Sequence, residues 1–190
     1  MTYSGKLPKR FEEASYKDWE EGSVFRNIID KYLQNFKEYY EQGKGPLFLG
    51  NSGLGKSRAA AAILRAVEEG SEGRYSTFWC PVTQIFNTML DARDMNNDAL
   101  YYRLYHNIAN SHLVAFDDFT TLRNSPRLKE YFWMFVEARY EDCLPSIFTA
   151  NFVIGSEEDV EEFWHNVATH FNSPFVRRLK ELGEELTLIV

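Results

Sequence analysis

From Ser23 onward, apolar residues recur at Phe25, Ile28, Ile29, Tyr32, Leu33, Phe36 and Tyr40 with polar residues between them. That spacing predicts one amphipathic helix, with Ser23 as its N-cap and Gly43 and Gly45 closing it. The uninterrupted run Pro46-Leu47-Phe48-Leu49 then reads as a buried strand. The Ala-rich stretch Arg58 to Leu64 belongs to a helix from Ser57 to about Glu69, stopped by Gly70. Tyr75 to Trp79 is rich in β-formers and bounded by Gly73 and Pro81, so it predicts a strand. Two further helical patterns follow, one carried by Val82, Ile85, Phe86, Met89 and Leu90, the other by Leu100, Tyr101, Leu104, Tyr105 and Ile108. His112 to Asp118 is an apolar run that ends in two carboxylates, the pattern of a buried parallel strand. Ser125-Pro126 opens a helix with Tyr131, Phe132, Met134, Phe135 and Ala138 on its inner side, ending at Arg139-Tyr140. Ser146 to Asn151 is another strand with a polar tip. The acids Glu157, Glu158 and Asp159 suit the first turn of a helix reaching Phe171, a shorter helix covers Ser173 to Leu182, and Glu185 to Val190 forms a last strand. Residues 1–22 are polar with spaced aromatics and predict an extended lead-in.

Strands that alternate with helices imply an α/β domain: a mainly parallel central sheet between two helical layers, over residues 23–190 as one unit. The chain has 190 residues, 44% of them hydrophobic and 16% aromatic, enough for a substantial core. A net charge of −7 argues against strong sequence-independent binding of nucleic acid, so any such contact needs a local patch or an assembled oligomer. Cys80 and Cys143 are too few and too far apart for a disulfide framework or a zinc site. His165 and His170 lack partners at ligand spacing. The first residues lack an apolar signal core and no apolar run is long enough to span a bilayer, so a cytoplasmic protein with no membrane partner is expected.

Chemistry concentrates in two places. The first is Gly50-Asn51-Ser52-Gly53-Leu54-Gly55-Lys56-Ser57, a complete G-x-x-x-x-G-K-[ST] phosphate-binding loop with a strand before it and a helix opening at Ser57-Arg58. Gly50, Gly53 and Gly55 allow the backbone N–H groups to turn inward, and the helix N-terminus adds unpaired donors and a partial positive charge. In such loops the lysine, here Lys56, reaches the β- and γ-phosphates of ATP, and the hydroxyl, here Ser57, ligates Mg²⁺. The second is Asp117-Asp118 at the C-terminal end of its strand, the edge at which open α/β sheets bind ligands. Asp117 is expected to hold the Mg²⁺ shell and Asp118 to orient the attacking water. Asn151 ends the next strand and is a candidate for the γ-phosphate or that water, with Thr149 as second choice. The spaced aromatics of the lead-in suit either an adenine base or burial against the core.

The order of these parts resembles that of AAA+ ATPases, and the sequence is most similar to DnaC-type helicase loaders and IstB-type transposition helpers. The likeness runs from Leu7-Pro8-Lys9-Arg10-Phe11-Glu12-Glu13-Ala14-Ser15-Tyr16 through the loop and Asp117-Asp118. It continues in Ala138 to Asn151, which resembles the sensor-1 region, and in Val176-Arg177-Arg178-Leu179-Lys180, which resembles the helix carrying the arginine finger. The resemblance implies an AAA+ core hydrolysing Mg·ATP slowly until stimulated, with Asn151 as sensor 1 and Arg178 as a finger acting in a neighbouring subunit; Arg177 is the adjacent alternative. It implies a homo-oligomer on ATP binding, a replicative DNA helicase as partner, and single-stranded DNA against the paired helices near Arg93 and Arg103. It places the chain in a bacterial cell or a phage-infected host. Two departures from the pattern are expected: no partner-binding domain before Leu7, as in an excised ATPase domain or a compact natural variant, and no C-terminal helical lid after Gly183. A transposition helper, or a nucleotide-switched module with negligible turnover, are the alternative functions.

Overall fold

A computed structural model describes residues 7–122, 124–151, 157–183 and 186–190, with the side chains of 157–160 excepted. Five strands, β1 (Leu47–Gly50), β2 (Thr77–Pro81), β3 (Leu113–Asp117), β4 (Ser146–Asn151) and β5 (Thr187–Ile189), form one sheet in the order β2-β3-β4-β1-β5. Every pairing is parallel. β1, which leads into the phosphate loop, therefore lies between β4 and β5, and the Asp117 end of β3 lies one strand beyond β4.

Side-chain alternation divides the strands between two cores, as a period of two requires. Leu47, Leu49, Phe78, Cys80, Val114, Phe116, Phe148 and Ala150 face one layer of helices: α4 (Val82–Asp94), α5 (Asp98–Asn110), α6 (Pro126–Glu141), α7 (Glu157–Phe171) and α8 (Ser173–Gly183). Phe48, Trp79, Leu113, Ala115, Ile147 and Leu188 face the other, made by α1 (Val24–Gln34), α2 (Phe36–Glu41), α3 (Lys56–Gly70) and the lead-in. The three-layer α/β arrangement expected from the sequence is the one observed. Among the described residues no helix follows β5.

Several local expectations are corrected. The helix expected from Ser23 to Tyr40 is two helices broken at Asn35 (φ −112°, ψ 22°), whose backbone N–H (3.3 Å) and side-chain amide (2.9 Å) both donate to the Lys31 carbonyl. β2 begins two residues later than expected because Tyr75 sits among Phe36, Tyr40 and His112 in an aromatic cluster ahead of the sheet. Pro81 is tolerated as its last residue because β2 is an edge strand. On α6 the inner stripe runs through Leu128, Tyr131, Phe132, Phe135, Val136 and Arg139, leaving Met134 exposed. Glu185, assigned to the last strand, lies outside the described residues.

Arg139 is 1% exposed and forms no ion pair with another described residue. Its guanidinium donates to the carbonyls of Ile108 (2.9 Å), Ser111 (2.8 Å) and Pro145 (2.6 Å) and to the Ser146 hydroxyl (2.8 Å). It thus satisfies the free carbonyls at the end of α5 and fixes that end to the start of β4. Burial lowers its pKa to about 9, which leaves it charged at neutral pH.

Candidate nucleotide site

The cleft at the C-terminal edge of the sheet is lined by Ser52, Gly53, Gly55, Lys56, Ser57, Arg58, Asp117, Asp118 and Asn151, together with Arg10 and Phe11. Gly50 (φ 137°), Gly53 (φ 86°) and Gly55 (φ 96°) all have the positive φ the loop requires. The Gly50 position has a second reason: a Cβ there would lie 1.6 Å from the Val190 carbonyl oxygen, which also accepts from the Asn51 N–H at 3.0 Å. Close approach of β5 thus fixes where the loop starts. The N–H groups of Gly53, Leu54 and Gly55 donate to no backbone acceptor among the described residues, as an anion cradle needs. The Leu54 side chain is 45% exposed and outside the cleft lining.

Lys56 is 4% exposed, and its ammonium is turned back into the loop, donating to the carbonyls of Gly50 (2.9 Å) and Asn51. Burial lowers its pKa, while the charges of Asp118 and Asp117 act against that shift. Arg58, on the first turn of α3, is paired with Asp18 of the lead-in at 2.6 Å, and that contact holds the Asp18 carboxyl below its usual range.

Asp117 and Asp118 do enter the cleft, in different settings. Burial raises the Asp117 pKa, opposed by hydrogen bonds from the hydroxyls of Ser57 and Thr149 and reinforced by the Asp118 charge. Asp118 sits at φ 54°, a turn that separates the two carboxylates, and its Oδ1 accepts from Thr120 at 3.0 Å. Thr149, the second choice for direct contact with phosphate or water, is corrected to an internal bridge. It is 2% exposed; its hydroxyl donates to Asp117 Oδ1 at 2.8 Å and accepts from the Asp118 N–H at 2.8 Å. Asn151 is exposed at the tip of β4, beside the loop through its register with Gly50. The pairing of a Ser57 hydroxyl with a desolvated Asp117 carboxylate is a hard-oxygen donor set of the kind magnesium prefers, so these residues fit a Mg·nucleotide.

Four other arginines named from the sequence lie outside this cleft. Arg178 lines no part of this cleft. It donates to Glu137 at 3.1 Å and Glu181 at 3.4 Å and lies over the Tyr140 ring, 3.8 Å from its centroid. Arg177 is 65% exposed, with Glu181 at 3.7 Å. Arg93 belongs to the last turn of α4 and meets the Tyr131 hydroxyl at 3.5 Å. Arg103 is exposed on α5 near Tyr102.

The sequence reading did not assign Arg10 to the cleft. Two features hold it there: Phe11 is buried edge-on against Trp79 (5.4 Å between centroids), and Arg65 binds the Glu12 carbonyl at 2.7 Å. The only sequence signal was an aromatic next to a basic pair, which has no spacing rule. Where an extended lead-in was expected, residues 7–22 make two 3-10 turns, Lys9–Phe11 and Tyr16–Asp18, the second with a Ser15–Asp18 capping box.

No protein-family model matches the chain, and no curated protein matches it. Solved structures do. A DnaC helicase loader superposes with a TM-score of 0.79 at 22% identity, covering 96% of this chain and 99% of that one. A putative primosome component from Streptococcus pyogenes gives a TM-score of 0.65 at 21% identity, covering 97% and 89%. The replication initiator DnaA, solved with AMPPCP and single-stranded DNA, gives 0.71 at 12% identity; this chain covers half of its length. At these identities the likeness establishes the fold alone, a three-layer α/β P-loop core like that of the DnaC loader. Among the described residues, no helix is long and apolar enough to cross a membrane.

Proposed function

We propose that this chain is an AAA+ ATPase of DNA replication that acts as a helicase loader: it binds and slowly hydrolyses Mg·ATP, self-assembles on nucleotide, and contacts a replicative DNA helicase and single-stranded DNA in the cytoplasm of a bacterial cell or a phage-infected host. The observation that carries this reading is the end-to-end superposition on a DnaC helicase loader, combined with a cleft that brings the phosphate loop, Asp117, Asp118 and Asn151 together.

In this reading the loop N–H groups hold the phosphates, and Lys56 exchanges its two loop carbonyls for phosphate oxygens. Ser57 and Asp117 would hold a magnesium ion, which would supply neutralisation of the phosphate charge. Asp118 orients water and accepts its proton, and Asn151 contacts the terminal phosphate or the water. Arg178 completes the neighbouring subunit's site, which requires it to leave Glu137 and Glu181. Turnover by a lone subunit is therefore slow. Arg93, Arg103 and Tyr102, on the outer face of α4 and α5, form the single-strand contact.

A second reading, a nucleotide switch with negligible turnover, is favoured by one observation: Asp118 has a short side chain already engaged by Thr120. Loading assays separate the readings. With ATP, the loader should co-purify with a replicative helicase and deposit it on single-stranded DNA. Filaments on duplex DNA without helicase association would instead indicate a transposition helper.

A further inference from the structure

The lead-in contributes Arg10 and Phe11 to the nucleotide cleft and is fastened at two places. At one end Phe11 packs on Trp79 and the Glu12 carbonyl on Arg65; at the other Asp18 pairs with Arg58, and the Trp19 ring lies where a Gly55 side chain would be 3.5 Å away. Trp19 in turn stacks on Phe25 of α1 at 5.5 Å. Arg10 directly precedes the first of these fastenings. Its guanidinium is exposed, lies over the Phe11 ring at 4.5 Å, and forms no ion pair with another described residue. It lines the same cleft as Lys56, Asp117 and Asp118, and its charge reaches Asp117.

The charges in that cleft are unevenly committed. Arg58 is paired with Asp18, and Lys56 faces two carboxylates, whereas Arg10 has no ion-pair partner among the described residues and lies over an aromatic face. A planar guanidinium with free donors matches phosphate oxygens, and the Asp117 side of the cleft is where the terminal phosphate lies if Ser57 and Asp117 hold the metal. We propose that Arg10 is a phosphate-binding residue supplied by the strap of residues 7–22, contacting the terminal phosphate of a nucleoside triphosphate in the same subunit. The strap then distinguishes triphosphate from diphosphate and is drawn onto the cleft by the former. This rests on the nucleotide reading above.

The test is equilibrium binding of ATP and ADP, each with Mg²⁺, to the full chain and its Arg10→Ala, Arg10→Lys and Lys56→Ala variants. Arg10→Ala should weaken ATP by about tenfold and ADP by less than about twofold, the loss of one charge-assisted contact. Arg10→Lys should recover part of the ATP affinity. The nucleotide-free thermal midpoint should stay at the wild-type value, since the Arg10 side chain is exposed. Unchanged ATP affinity in Arg10→Ala overturns the assignment while leaving the nucleotide reading intact, and so does an equal loss for ATP and ADP. Absence of nucleotide binding by wild type overturns the nucleotide reading and Arg10 with it.

Discussion

The Thr149 hydroxyl donates a hydrogen bond to the Asp117 carboxylate at 2.8 Å while accepting one from the backbone N–H of the following aspartate. One buried hydroxyl on β4 therefore sets the orientation of the carboxylate on β3 and the turn that sends Asp118 in another direction. Thr149→Val keeps the shape and deletes the bridge. It should cost about 1–3 kcal/mol of stability, because the Asp118 N–H is left without its partner. Turnover should fall while ATP affinity changes little, and Thr149→Ser should restore both. Denaturant titration and a kcat-against-KM comparison would check this; equal behaviour of the Val and Ser variants would contradict it.

Asp117 gives a pH prediction. Its folded pKa is raised, so between its unfolded value and the raised one the folded state holds a proton that the unfolded state lacks. Its contribution to nucleotide-free stability therefore falls as pH rises through that window and is a cost at neutral pH. Asp117→Asn should raise the nucleotide-free thermal midpoint at pH 7, and the gain should vanish as pH falls toward 4. The same variant should lose the extra stability that saturating Mg·ATP gives wild type, about 2.7 kcal/mol at a hundredfold excess over Kd. Thermal shifts across pH, with and without Mg·ATP, measure both effects.

Arg178 makes the prediction about neighbours. If it acts in trans, Arg178→Ala should bind ATP normally yet turn over at least about 10³-fold more slowly. Mixing it with Asp118→Asn, which keeps Arg178 but lacks the water-orienting acid, should restore turnover. Glu137→Gln, which loosens the internal hold on Arg178, should shift activity to lower protein concentration. Failure of the mixture to recover any activity would contradict a trans role.

Arg139 should matter to stability alone. Arg139→Met keeps the apolar volume but leaves the carbonyls of Ile108, Ser111 and Pro145 without their donor, a loss of about 3 kcal/mol or more. Chemical denaturation should show that loss, with ATP affinity unchanged in the folded fraction.

The layers of the fold and most of the cleft could be read in the sequence, because they follow from periodicity and from one motif with fixed spacing. Phe48 and Trp79 had to face away from Leu47 and Cys80, and the phosphate loop had to follow β1. What escaped depended on contacts between distant segments. Asn35 breaks a helix through a side-chain bond that hydrophobic spacing does not reveal. Arg139 looks like a surface residue near a helix end until Ile108, Ser111 and Pro145 converge on it. Gly50 reads as a phosphate-loop glycine, although β5 also demands it through Val190. Arg10 reaches the cleft only because Phe11 finds Trp79.

The central claim, that the Lys56 loop and Asp118 form one working ATPase site, is tested most directly by steady-state ATP turnover of wild type beside Lys56→Ala and Asp118→Asn, with Mg²⁺ and single-stranded DNA across a range of protein concentration. Wild type should turn over ATP more than proportionally as concentration rises, with both variants at background. A wild type that binds ATP yet stays at the level of Lys56→Ala under every condition would contradict it.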